Sequence, residues 1–171
     1  MNSDIFVIVV PSKFYRKTIE IFSPHIPNDS FFVSATKGLD AKTLSTMSSV
    51  AEEYLNSSIS VLSGPSHAEE AAKEIPSAVV VANKDQIVAE KIQKVFMNDC
   101  FRVYTSNDVI GVELGGALKN IIAIAAGISD GLGYGDNTKA ALMTRGLSEI
   151  TRLGINMGSQ IDTFSELSGI G

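Results

Sequence analysis

Five short runs of β-branched and aromatic residues punctuate the first 106 positions and none follows, an asymmetry that leaves few architectures open. The first run, IFVIVV at 5–10, is stopped by Pro11. Continuous apolar character over that length reads as a strand buried on both faces. FFVSAT (31–36), ISVLS (59–63), AVVVA (78–82) and FRVYT (101–105) come next. Between them lie stretches of helical period: Ser12 to about Phe22, roughly 85–97, and 42–56, with Leu44, Met47, Val50, Ala51, Tyr54 and Leu55 on one face. Gly64-Pro65-Ser66 turns the chain after the third run and places Ser66 to cap a short helix. Strands alternating with helices indicate an α/β sheet with largely parallel pairing. After Asn107 only helix candidates remain, near 108–128, 138–154 and 162–168. The change sets a boundary near 105–107, between a sheet-bearing domain at 1–106 and the first helices of a helical domain at 107–171.

Composition narrows the function classes. Hydrophobic residues make up 44% and charged residues 19%, which suits a globular chain with a core. A net charge of -5 with scattered lysines argues against a nucleic-acid surface. No uninterrupted apolar run approaches bilayer-spanning length, so no integral membrane segment is expected. Cys100 is the single cysteine, which excludes an intrachain disulfide and fits a reducing, cytoplasmic setting. His25 and His67 with one thiol give no metal-ligand spacing, and no metal is expected.

The chemistry-bearing candidate is a lysine in apolar company, within VELGGALKNIIAIAAGISDGLGYGDN (112–137). On a helix over 113–127, the neighbours of Lys119 three and four residues away are Gly115, Gly116, Ile122 and Ala123. Two readings stand. Lys119 can snorkel from a helix edge into water, or it can point into a hollow left by small residues. Two glycines inside a helix cost about 1 kcal/mol each against alanine, which close approach of another element would offset. Lys37 follows the second strand, and Gly64 and Ser66 follow the third. Both positions fall at the carboxyl end of strands, where open α/β sheets bind ligands. Taken singly, Lys37 also reads as a solvated loop lysine and Ser66 as a plain cap. GLGYGD (131–136) has the spacing of a glycine-rich phosphate loop but follows a helix, so it reads as an interhelix loop, with Asn137 capping the next helix and Lys139 reaching solvent.

VSATKGLD (33–40), VLSGPSHAEEAAKEIPSAVVVA (61–82) and GVELGGALKNIIAIAAGISDGLGYGDNTKAALMTRGLSEITRLG (111–154) resemble bacterial-type NAD(P)-dependent glycerol-3-phosphate dehydrogenases. The likeness runs over residues 5–171. It implies a Rossmann-like cofactor domain followed by an all-helical substrate domain. It also implies reversible hydride transfer between NAD or NADP and the pair dihydroxyacetone phosphate and sn-glycerol 3-phosphate, which feeds glycerophospholipid synthesis. On the matching positions, Lys119 becomes the catalytic lysine that assists proton transfer at the C2 oxygen. Lys37 becomes a contact for substrate and cofactor, Gly64, Ser66 and Asn120 substrate contacts, and Ala68 a cofactor contact.

Two parts of that family's pattern do not occur in this sequence: a G-x-G-x-x-G turn after a strand, and a Ser-Arg-Asn run. The 171 residues by themselves are therefore expected to be inactive. In the strand order that the resemblance implies, residues 5–10 also present an unpaired edge, so association with further copies is expected. Two other classes compete with the dehydrogenase: a related β-hydroxyacid-type dehydrogenase, and a non-catalytic binding or assembly module. A substrate panel separates the former, and a cofactor titration the latter.

Overall fold

The computed structural model describes residues 3–169. Among them one five-stranded sheet forms in the order β1 (Ile5–Ile8), β2 (Phe31–Ser34), β3 (Ile59–Ser63), β4 (Ser77–Ala82), β5 (Phe101–Ser106). The helices are α1 (Ser12–Phe22), α2 (Met47–Glu52), α3 (Ala68–Ala71), α4 (Gln86–Phe96), α5 (Val109–Gly131) and α6 (Asp136–Asn156). Strand neighbours pair in parallel except β3 and β4, which run antiparallel.

Alternation within the strands sorts the helices into two layers. Ile8, Phe32 and Ile59 turn toward α1 and α2, where they meet Tyr15, Ile19, Met47 and Val50. On the same face, Val61, Val80 and Ala82 meet Val109 and Val112 at the start of α5. Val33, Val79, Val81 and Val103 point the other way, onto Ala89 and Ile92 of α4. The unbroken AVVVA run is thus explained: successive residues of β4 fill opposite cores.

Several expectations change. β1 stops at Ile8, and Val7 is 45% exposed, because this is an edge strand with β2 on one side only. Val10 does not extend the ladder but bonds both ways with the Thr36 hydroxyl, at 3.3 and 2.9 Å. The helix expected over 42–56 shrinks to α2. Asp40 holds a turn instead, accepting from Leu44 N at 2.8 Å and Thr43 Oγ1 at 2.8 Å. Leu44 lies at φ 58° with its side chain exposed, so its place in the periodic pattern was coincidental. Thr46 then caps α2. Ser66 caps nothing; the N-cap of α3 is His67, without a side-chain bond. Gly135 precedes α6, so Asn137 lies inside that helix, and Lys139 pairs with Asp130 at 2.8 Å. The last expected helix is a 3-10 turn, Asp162–Ser165.

One helix bears on the membrane expectation. α5 is 23 residues long with a window of mean hydropathy 1.6, enough by length and composition to cross a bilayer. Its five isoleucines, with valine, leucine and alanine, keep its hydropathy high even though Glu113 and Lys119 interrupt its apolar runs. In this fold Val109 and Gly111 to Gly116 are buried, with Ile110 half-buried, whereas Ile121, Ile124 and Ile128 are exposed.

Two buried carboxylates fix α5. Asp108 accepts from Gly111 N at 2.9 Å, capping the helix, and from Gln160 N at 2.9 Å and Thr163 Oγ1 at 2.6 Å. Glu113 reaches the first turn of α2, accepting from Ser48 N at 2.8 Å and from the Ser48 hydroxyl. Burial raises the Glu113 pKa above its ordinary 4.5, against the lowering effect of those bonds.

Asp108→Ala strands the Gln160 amide and the Thr163 hydroxyl and removes a cap. We expect a loss of about 2–3 kcal/mol in denaturant unfolding; a change below about 0.5 kcal/mol would show that the cap is dispensable. Glu113 sets a pH dependence of definite sign. Between its unfolded value and its raised folded value, the folded chain holds a proton that the unfolded chain has released. Stability therefore falls as pH rises through that window. Glu113→Gln keeps an acceptor for Ser48 N and should flatten this slope, measured by unfolding at pH 4 to 8; an unchanged slope would contradict the burial argument.

Candidate active site

The parallel strands β1, β2 and β3 all end on one edge of the sheet, where Ile8 aligns with Ser34 and Ser34 with Val61. Lys37 leaves that edge three residues after β2, and Gly64 one residue after β3. Lys37 Nζ donates to Gly64 O at 3.2 Å. Gly64 has φ +147°, and a Cβ there would sit 2.9 Å from Val79 Cα, so the lysine's carbonyl anchor requires glycine.

Above this edge passes α5. At Gly116 a Cβ would collide with Ser63 Oγ and would lie 3.9 Å from Lys37 Cγ. At Gly115 it would collide with the Ser168 carbonyl. The two glycines therefore serve close approach, to the end of β3 on one side and to the segment after the 3-10 turn on the other. They do not form the hollow around Lys119; that space lies further along the helix. Lys119 and Asn120 line a cleft of about 420 Å³ between α5 and α6, with Ile122, Ala123, Met143 and Leu147 among its walls.

Lys119 follows Gly116 by three residues, on the same helix face. Its pKa is lowered from the ordinary 10.5, first by desolvation and then by the positive charge of Lys37. Lys37 is lowered by desolvation alone, although much of its side chain stays in solvent. Two partly desolvated ammonium groups thus lie near enough for the charge of Lys37 to act on Lys119, an arrangement suited to an anion or to an oxygen that gains negative charge.

The structure brings Lys37, Gly64 and Lys119 together. Ser66 is close in sequence but turns back toward Gly64 O at 3.5 Å. Asn120 is exposed and lines the cleft beside Lys119, and Ala68 is exposed at the start of α3. His67 is exposed and pairs with Glu69 at 2.6 Å. GLGYGD bridges α5 and α6, with Gly133 at φ +74° as the turn residue. Sequence reasoning missed Ser63, Asp108 and Glu113. A carboxylate inside an apolar helix start was the available signal for the acids, since such a group needs partners.

Comparison with known proteins supplies the family. Residues 1–89 match the model of the NAD-dependent glycerol-3-phosphate dehydrogenase N-terminus, and residues 108–171 that of the C-terminus. A glycerol-3-phosphate dehydrogenase [NAD(P)+] from Thermoanaerobacter sp. is 54% identical over 170 residues, covering 99% of this chain and 52% of the relative. Its counterpart from Fusobacterium nucleatum is 52% identical over 173 residues, covering 99% and 52%. The crystal structure of glycerol-3-phosphate dehydrogenase from Coxiella burnetii superposes with a TM-score of 0.93 at 40% identity, over 98% of this chain and 52% of that one. The Saccharomyces cerevisiae enzyme gives 0.88 at 31% identity, over 99% and 52%. The chain spans about half the length of the curated relatives it matches. With both family models matched in order and the Rossmann-like sheet in place, the chain belongs to the NAD-dependent glycerol-3-phosphate dehydrogenase family.

Proposed function

We propose that this chain contributes the lysine-bearing site of an NAD(P)-dependent glycerol-3-phosphate dehydrogenase, which interconverts dihydroxyacetone phosphate and sn-glycerol 3-phosphate in the cytoplasm. The observation that carries this reading is the position of Lys37, on Gly64 O at the carboxyl edge of the sheet and beside Gly116, one turn before Lys119 on α5. The division of labour follows the pattern of elements: residues 1–106 form the cofactor side and 107–171 the substrate side.

A dinucleotide fits the donor set, because the partly desolvated Lys37 ammonium and the side-chain-free Gly64 lie where parallel strands end. When bound, the nicotinamide supplies or accepts the hydride. Lys37 would contact cofactor and substrate, with Ala68 lining the cofactor side and Gly64, Ser66 and Asn120 the substrate side. Lys119 stabilises the developing charge on the C2 oxygen and delivers a proton to it. A lowered pKa suits that donor, since an amine nearer neutrality gives up its proton more readily. The mostly apolar cleft beside Lys119 limits water at that proton.

In a chain extended to the length of its relatives, Lys119→Ala should lower kcat for dihydroxyacetone phosphate reduction by at least about a hundredfold. Near-normal turnover would remove Lys119 from the chemistry. The pH profile carries a second expectation. Reduction needs the protonated amine, so the rate should fall on an alkaline limb that begins below 10.5. Lys37→Met removes the neighbouring charge and should shift that limb upward; a limb that stays in place would show that the two amines do not interact.

A further inference from the structure

We infer that Gly116 and Ser63 form the spacer that sets the approach of the two lysines, so that Gly116 is a positioning residue for Lys119. The geometry is specific. Lys37 runs beside this contact, with its Cγ 3.9 Å from the site of a Gly116 Cβ and its Nζ on Gly64 O at 3.2 Å. Ser63 Oγ occupies the space that a side chain at 116 would fill. Ser63 is 4% exposed, and its hydroxyl has no hydrogen-bond partner among the described residues. A buried hydroxyl without a partner is unfavourable, so this serine is not explained by satisfied hydrogen bonding. It acts through its volume. One small polar side chain is seated against a bare helix backbone, and the helix can come no closer than that oxygen allows. Lys119 projects from the same face one turn further on, so a shift of α5 at Gly116 moves its amine relative to Lys37. Gly115 fixes the other side of that turn against the Ser168 carbonyl, which keeps α5 from simply rolling away.

The spacer rests on the dehydrogenase reading only for its consequence in turnover; the placement of the amines can be read without it. The test is a cycle of Gly116→Ala, Ser63→Ala and the double variant. In the 171-residue chain, the titration of Lys119 is followed by NMR of its ε-carbon, assigned by its loss in Lys119→Met. Gly116→Ala pushes α5 outward and relieves both desolvation and the Lys37 charge, so the Lys119 midpoint should rise toward 10.5. Removing Ser63 Oγ leaves a Cβ at 3.5 Å, an ordinary contact, so the double variant should return the midpoint toward that of the unaltered chain. In the extended chain, Gly116→Ala should lower kcat at least about tenfold with a smaller change in KM, as for a displaced catalytic group, and the double variant should recover most of it. A midpoint that moves in neither Gly116→Ala nor Gly116→Ser, or that Ser63→Ala does not restore, overturns the spacer whatever the activity. A midpoint that moves and recovers while the extended chain shows no dehydrogenase activity upholds the spacer and sinks the proposed reaction. A second variant, Gly116→Ser, guards against an alanine absorbed by local relaxation: it should displace the midpoint further, and no displacement in either variant overturns the proposal.

Discussion

The placement of α5 against the sheet is the constraint on which the other features depend. Its first two turns are buried, with Val109 and Val112 seated on Val61, Val80 and Ala82. Apolar burial alone would let a helix slide or roll, because the hydrophobic effect has no direction. Two carboxylates remove that freedom. Asp108 ties the helix start to the segment around Gln160 and Thr163, and Glu113 ties the next turn to the amide and hydroxyl of Ser48. Each is costly to bury and is tolerated because its bonds are directional and charge-assisted.

Much of the sheet was legible in the sequence, and β4 shows why. A run such as AVVVA can be accommodated only where both faces are covered, and here successive valines enter separate cores. The same logic misled at β1, whose run is equally apolar but which lies at an edge, where the number of neighbours and not the composition sets exposure. Strand direction was less legible. The connection from β3 to β4 has a turn, a short helix and then a strand, which imitates a parallel crossover, yet α3 spans only Ala68–Ala71 and the strands run antiparallel. The helix over 42–56 failed for a local reason: Asp40 and Thr43 compete for the backbone through a turn, and side-chain bonds of that kind oppose helix formation.

At the site, Lys119 stood out because its neighbours are small, but the cause differed from the simplest reading. Gly115 and Gly116 admit other parts of the chain rather than leaving room for the amine. Glu113 and Asp108 find partners 65 and 55 residues away, beyond the reach of any local pattern. Ser63 was read only as the end of a strand, and its relation to Gly116 exists only once α5 lies on β3.

The burial along α5 changes at the residue that matters. Up to Gly116 the helix is held by the sheet; Ala117 to Lys119 are half-buried; from Asn120 exposed positions predominate. Lys119 therefore sits where support of α5 by the sheet gives way to support by α6. One residue set a turn earlier would be buried without access, and one set a turn later would rest against α6 rather than against the sheet. The charge pattern follows the same boundary. Bringing a second ammonium to this place is unfavourable in the absence of ligand, because desolvation and like charge act together on Lys119. An anion seated between the amines reverses the second effect, so relief of that repulsion adds to its binding. The scaffold thus brings like charge to bear on Lys119 through contacts made elsewhere, with Asp108, Glu113 and the apolar seam fixing α5 against the sheet.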